Sequence, residues 1–170
     1  ILPYKDGCYV AHGSELLYLE DQNQDSKYES YKNLLTGFGF FDTHTMSHSL
    51  VRAPGGWVHF SHGAINSGKV KSTVSGAECE ITYCKNARTS LDGSQIELVN
   101  AGLQNIWGYQ LRASGEWFGT EANDLGYSVI PMEPQTTFKG IGNAKLRPFQ
   151  PIFPPPHQFR VGGTGISGLA

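Results

Sequence analysis

The chain has 170 residues, of which 39% are hydrophobic, 12% aromatic and only 16% charged, with a formal net charge of −2. This length fits one globular domain with a hydrophobic core, and so aromatic and weakly charged a composition excludes a disordered chain. The glycines follow no three-residue period, which excludes collagen, and no apolar run approaches the roughly 20 residues of a membrane-spanning helix.

The predicted elements are almost all β-strands. Short runs of β-branched and aromatic residues alternate with Gly, Asn, Asp and Ser, which is typical of strands joined by tight turns. Only residues 26–35 have the pattern of a short helix, which Gly37 and Gly39 would end. The predicted strands are 8–11, 16–19, 38–41, 47–52, 57–60, 70–74, 79–84, 95–99, 106–112, 117–118 and 127–130. The pattern predicts a mainly β protein, an antiparallel β-sandwich or barrel.

The composition changes near residue 131. Seven of the nine prolines lie from Pro131 onward, and residues 134–170 carry four basic side chains and no acidic one. Proline lacks the amide hydrogen that a central strand needs, so residues 148–154 are expected to be extended, with apolar side chains that need a surface to cover. We therefore predict an antiparallel β core over residues 1–130 and an extended Pro/Gly-rich C-terminal arm over residues 131–170.

Charge is unevenly placed along the chain. Residues 1–42 hold seven acidic and three basic side chains, in contrast to the basic arm. This asymmetry fits contact between subunits of a homo-oligomer through the arm, and it equally fits an arm that folds back on its own core. Four dispersed cations are too few for a nucleic-acid groove, so no nucleic-acid partner is predicted.

Two segments share the pattern Arg-Ala-x-Gly-x-Trp, with sixty residues between their first positions. Arg52 to Trp57 is one of them and Arg112 to Trp117 is the other, and each lies between β-prone runs. Both are predicted to be hairpins, because Pro-Gly and Ser-Gly are turn dipeptides. With two-residue loops, each arginine would lie directly opposite its tryptophan. The core would then receive Val51, Val58, Phe60, Leu111 and Phe118 from the opposite face.

A guanidinium opposite an indole has two interpretations. The pair can form a flat surface on which a sugar ring packs while the arginine donates to its hydroxyl groups. It can equally be an arginine that shields a surface tryptophan in an ordinary hairpin.

The segment that ends in Arg-x-x-Gly-x-Trp, residues 109–117, resembles the hairpins of knob domains in bacteriophage tail fibres. Those domains are virion components that contact host-surface glycans. The resemblance therefore implies a virion or extracellular location and glycans as partners.

Four of the six histidines fall within nineteen residues, from His44 to His62. In the predicted register His48 and His59 lie on one strand face, and His44 joins them if the strand extends that far. Three neutral imidazoles there would suit Zn, Cu or Fe. The same residues are also consistent with ordinary surface or hydrogen-bonded histidines, and the spacing lacks the glutamate of a metalloprotease helix. We predict no metal and no cofactor, and these three histidines are the candidate ligands if a metal binds.

No nucleophile motif or pair of catalytic carboxylates is defined, so no catalytic residue is assigned. The sequence predicts a non-enzymatic structural and recognition protein of a virion or extracellular assembly that binds host-surface glycans. The alternatives are a stand-alone secreted carbohydrate-binding domain and a metal enzyme with histidine ligands. The predicted ligand-binding residues are Arg52, Trp57, His48, His59, Arg112 and Trp117.

Overall fold

The computed structural model describes residues 1–122, 129–140 and 147–148, and β-strands dominate them. Within these ranges the only helical element is a short 3-10 turn, Thr43–Thr45. These ranges therefore contain no helix that is long and apolar enough to cross a membrane. The mainly β, antiparallel fold is thereby confirmed. Of the predicted arm, residues 141–146 and 149–170 lie outside the described residues.

The described residues form fifteen strands. In chain order they are β1 (Leu2–Pro3), β2 (Gly7–His12), β3 (Glu15–Glu20), β4 (Ser30–Thr36), β5 (His48–Ala53), β6 (Trp57–His62), β7 (Ser67–Ser72), β8 (Glu78–Thr82), β9 (Lys85–Ser90), β10 (Ile96–Leu103), β11 (Ile106–Leu111), β12 (Trp117–Glu121), β13 (Val129–Pro131), β14 (Thr136–Gly140) and β15 (Arg147–Pro148).

The strands form three sheets. The first has the order β1-β2-β3-β4-β7-β8, the second β15-β14-β10-β9-β6-β5, and the third β11-β12-β13. All pairings are antiparallel except those of β14 with β10 and with β15. The described part of the predicted arm therefore contributes β14 and β15 to one edge of the second sheet.

The second sheet lies between the other two. One of its faces contributes Val58, Phe60 and Ala87 to an apolar core with the buried side chains of the first sheet. Its other face contacts a second cluster, built around Tyr109 and Trp117 of the third sheet. Strand β6 is consequently buried on both faces from its second residue to its last.

Strand β4 replaces the short helix predicted over residues 26–35. A bulge in its pairing with β3 lets both Leu34 and Leu35 point inward, where they are 4% and 0% exposed. Two adjacent buried leucines break the alternation expected of a strand, which is why the sequence pattern favoured a helix.

The strand predicted over residues 38–41 is absent, and this segment is a loop. Phe38 packs edge-on against Phe60, whereas Phe40 and Phe41 are 54% and 88% exposed. The backbone of Gly39 lies so close to β7 that an added Cβ would be 2.4 Å from the Ser67 carbonyl oxygen. Close packing of this loop against β7, rather than strand pairing, sets its conformation.

Both predicted hairpins exist, but the predicted arginine–tryptophan register is wrong. In the first hairpin Ala53 pairs with Trp57, so that Arg52 pairs with Val58 and lies on the opposite face from the indole. The cause is a three-residue loop in which Gly55 and Gly56 have φ of +83° and +80°, a conformation that glycine adopts without strain. Val51 consequently shares a face with His59, away from the core that contains Val58 and Phe60.

In the second hairpin Leu111 pairs with Trp117, and Gln110 pairs with Phe118. A five-residue connection separates the strands, closed by a hydrogen bond from the Arg112 backbone nitrogen to the Glu116 oxygen (2.9 Å). Trp117 therefore points into the second core cluster with 8% exposure, and Phe118 does not belong to it. The prediction that Trp117 stands on an open face and Phe118 in the core is reversed.

Candidate functional site

A row of polar side chains crosses the face of the second sheet that contacts the third sheet. The Ser61 hydroxyl donates to the Asn86 Oδ1 (2.6 Å), and the Asn86 Nδ2 donates to the Asn100 Oδ1 (2.6 Å). Asn100 in turn donates to the Met132 carbonyl oxygen (3.4 Å). The three side chains are at most 1% exposed, so this buried row depends on mutual hydrogen bonds to offset its desolvation.

His59 is the next residue along β6 on the same face. Its ring stacks on Trp117, with 4.3 Å between centroids and 19° between planes, and Tyr109 stacks on the same indole at 4.4 Å. Burial and, to a smaller extent, the nearby charge of Arg88 together lower the pKa of His59 to about 4. The imidazole is therefore neutral at pH 7, and its buried Nδ1 has no hydrogen-bond partner among the described residues.

Arg88 of β9 is the cross-strand partner of His59 on β6. Its guanidinium carbon is 4.2 Å from the centre of the Trp57 ring, which is a close cation–π contact. The same guanidinium forms an ion pair and a hydrogen bond with the Glu97 carboxylate. Because Trp57 and Glu97 hold it from two sides, Arg88 is oriented without being fully buried.

His59, Arg88 and Trp117 border a cleft of about 290 Å³, which we call the Arg88 cleft. Gln135 closes one side, and its position is set by a hydrogen bond from its backbone nitrogen to the Val99 oxygen (2.7 Å). Aromatic and aliphatic side chains with a few oriented polar groups are the usual composition of a small-molecule site. The residues around the cleft include Pro54, His59, Arg88, Leu111, Trp117 and Gln135.

The structure brings together some of the predicted ligand-binding residues and separates others. His59 and Trp117 are in contact, and Trp57 joins them through Arg88. Arg52 lies over the Tyr4 ring at 5.4 Å, and Arg112 lies over the Phe118 ring at 5.8 Å. Both arginines thus stack on aromatic rings, but not on the tryptophans assigned to them.

The three candidate metal ligands, His44, His48 and His59, do not form a cluster. His44 is exposed in the 3-10 turn and contacts the Asp42 carboxylate through its Nδ1 (3.1 Å). His48 lies on β5 and stacks on Trp107, and burial, together with a smaller effect of His62, lowers its pKa to about 4. In the part of the chain that the structure describes, these histidines do not bring three ring nitrogens within 4.8 Å of one another.

One group of possible metal ligands was missed at the level of sequence. The carboxylates of Asp21, Asp25 and Glu29 lie within 4.8 Å of one another in the loop between β3 and β4. Asp21 also accepts hydrogen bonds from the backbone nitrogens of Asp25 (3.1 Å) and Ser26 (3.0 Å). The alternation Asp-x-Asn-x-Asp from Asp21 was the available signal.

Arg88 was missed for a different reason. Strand β9 has a polar sequence that lacks the run of β-branched and aromatic residues typical of strands, although it is central in the second sheet. Only the pairing of β9 with β6 and β10 places Arg88 between Trp57 and Glu97. No local signal in the sequence identifies it.

Comparison with known proteins gives one match. A family model described as Domain of unknown function (DUF7133) matches residues 1–152, which include every described residue and the whole Arg88 cleft. No curated protein and no solved structure matches the chain.

Proposed function

We propose that this chain, which belongs to the DUF7133 family of domains of unknown function, is a non-enzymatic recognition protein that binds carbohydrate in the Arg88 cleft. The observation that carries the proposal is the combination in one cleft of a stacked indole, an oriented guanidinium and a neutral histidine. Sugars present apolar ring faces that pack on aromatic side chains, and hydroxyl groups that accept from arginine.

The burial of each group supports this assignment. Stacking contacts with both His59 and Tyr109 hold the Trp117 ring in place, so packing a sugar against its edge costs little side-chain entropy. Arg88 retains 33% of its side-chain exposure and is available to a ligand, while Glu97 keeps it oriented. His59 adds a neutral ring whose Nδ1 has no partner among the described residues, and buried polar atoms of this kind are commonly found at functional sites.

The biological setting that we propose is a virion or extracellular assembly with host-surface glycans as ligands. This part rests on the resemblance of residues 109–117 to tail-fibre hairpins and on the unusual composition of residues 131–170. A stand-alone secreted carbohydrate-binding domain would use the same cleft. The native mass in solution separates the two, because an assembly protein should be oligomeric.

The test is a glycan array followed by titration of the best glycan, with tryptophan fluorescence as the readout. Arg88→Gln should weaken binding at least about tenfold, which corresponds to about 1.4 kcal/mol. Arg112→Gln is the matched control, because Arg112 also lies over an aromatic ring but faces Phe118. Loss of binding in Arg112→Gln with retention in Arg88→Gln would place the site elsewhere, and the absence of any bound glycan would reject the proposal.

A further inference from the structure

A second surface combines an aromatic ring with two cations. The Lys5 Nζ is 5.3 Å from the centre of the Tyr4 ring, and the Arg52 guanidinium carbon is 5.4 Å from it. We call these three residues the Tyr4 platform. Within the described ranges of the chain, neither Lys5 nor Arg52 forms an ion pair. Two cations without carboxylate partners beside one ring create a local positive potential.

Clefts lie on both sides of Arg52. The larger, of about 590 Å³, is lined by Tyr4 and Lys5 together with apolar residues such as Leu2 and Leu50. The smaller, of about 410 Å³, lies against Tyr4, Pro54 and Leu91. Among the described residues, the walls of these two clefts contain no aspartate or glutamate, so Lys5 and Arg52 are their charged groups.

Hydrogen bonds fix the backbone at Tyr4. The Tyr4 backbone nitrogen donates to the Gly7 oxygen (2.9 Å), and the Tyr18 hydroxyl donates to the Tyr4 oxygen (2.8 Å). Tyr9 supports the Tyr4 ring from behind, with 5.9 Å between centroids. The turn holds Lys5 at φ +50°, a left-handed conformation that is uncommon for a residue with a side chain. Preorganisation of this kind lowers the entropic cost of binding.

We propose that the Tyr4 platform binds the carboxylate of an acidic sugar, such as a uronate. Lys5 and Arg52 would receive the carboxylate, and the sugar ring would pack against Tyr4 and the apolar walls of the clefts. The smaller cleft shares Ala53 and Pro54 with the Arg88 cleft, so the tip of the β5–β6 hairpin separates the two sites. The inference relies on the proposed function for the class of ligand, but it uses neither Arg88 nor Trp117.

The experiment is isothermal titration calorimetry at low ionic strength with digalacturonate and with its dimethyl ester, which has no charge. The acid should bind the unmodified chain, and the double variant Lys5→Gln/Arg52→Gln should bind it at least about tenfold more weakly. Added salt should weaken binding of the acid, because the charges involved are exposed to solvent. Lys71→Gln, which removes an exposed cation from the first sheet, is the matched control and should bind like the unmodified chain.

Three results would overturn the inference: equal affinity for acid and ester, unchanged binding in the double variant, or no binding of the acid. Circular dichroism checks that the double variant folds, and the single variants Lys5→Gln and Arg52→Gln replace it if it does not. Arg88→Gln separates this inference from the proposed function. If neutral glycans fail to bind while digalacturonate binding still depends on Lys5 and Arg52, the Arg88 cleft is rejected and the Tyr4 platform stands.

Discussion

The two hairpins that share the pattern Arg-Ala-x-Gly-x-Trp give their tryptophans different surroundings. Trp57 is half-buried and its ring is covered by Arg88 of the neighbouring strand. Trp117 is 8% exposed and stacks on both His59 of another sheet and Tyr109 of its own. The shared residue spacing fixes the position of the turn in each hairpin. The burial of each tryptophan depends instead on which sheet packs against that hairpin.

The largest expected effect concerns Trp117. Trp117→Ala should lower the free energy of unfolding by about 3–5 kcal/mol, because it removes a buried ring and leaves a cavity beside His59 and Tyr109. Urea unfolding followed by far-ultraviolet circular dichroism measures this loss. A loss below about 1 kcal/mol would show that Trp117 is not a core residue.

The second effect is the pH dependence that His59 gives to the free energy of unfolding. An unfolded chain protonates this histidine below its ordinary pKa of 6.5, whereas the folded chain does so only near its lowered pKa of about 4. Between these values the unfolded state binds more protons, so stability falls as pH falls. From pH 7 to pH 5 the contribution of His59 is a loss of about 2 kcal/mol.

The variant His59→Phe isolates this contribution, since it keeps a ring against Trp117 and removes the titrating group. The unmodified chain should lose about 2 kcal/mol more stability than the variant between pH 7 and pH 5, measured by urea unfolding at each pH. Burial also lowers the pKa of His48 and His62, and these residues are common to both proteins. Parallel stability curves would contradict the buried position of His59 beneath the second hairpin.

A smaller effect is expected from the first hairpin. Trp57→Ala should reduce the free energy of unfolding by about 1 kcal/mol, because the cation–π contact with a partly exposed Arg88 contributes about 0.5–1 kcal/mol. The same urea titration used for Trp117→Ala gives the comparison directly. Equal losses for the two tryptophans would remove the difference between the hairpins.

The smallest effects should come from the two arginines of the repeated pattern. Both side chains are exposed, so Arg52→Gln and Arg112→Gln should each change the free energy of unfolding by no more than about 0.5 kcal/mol. Thermal unfolding of the two variants beside the unmodified chain is sufficient to test this. A loss above about 1.5 kcal/mol in either variant would mean that its stacking contact is structural.

Much of the fold was predictable from the sequence. Runs of β-branched and aromatic residues correctly indicated a mainly β, antiparallel protein and both hairpins. The errors came from features that local patterns do not encode. A bulge placed both Leu34 and Leu35 inside and imitated a helical pattern, and a three-residue loop shifted the first hairpin by one position.

The candidate site was predictable only in part. His59, Trp57 and Trp117 belong to the set predicted from the sequence, and the structure brings them together. The residue that connects them, Arg88, comes from a polar strand that is buried only because β6 and β10 pair with it on either side. The position of Arg88 therefore depends on contacts between strands that are distant in sequence.

The position of β6 has a consequence for how the domain opens. This strand is paired with β5 and β9 on its two edges and covered on both faces, so its backbone amides reach solvent only when this pairing breaks and the covering sheets separate. Amide hydrogens of β6 should therefore exchange with deuterium at the rate of global unfolding, later than those of the edge strand β8. The strand that carries His59 would then be among the last of the described strands to become labelled.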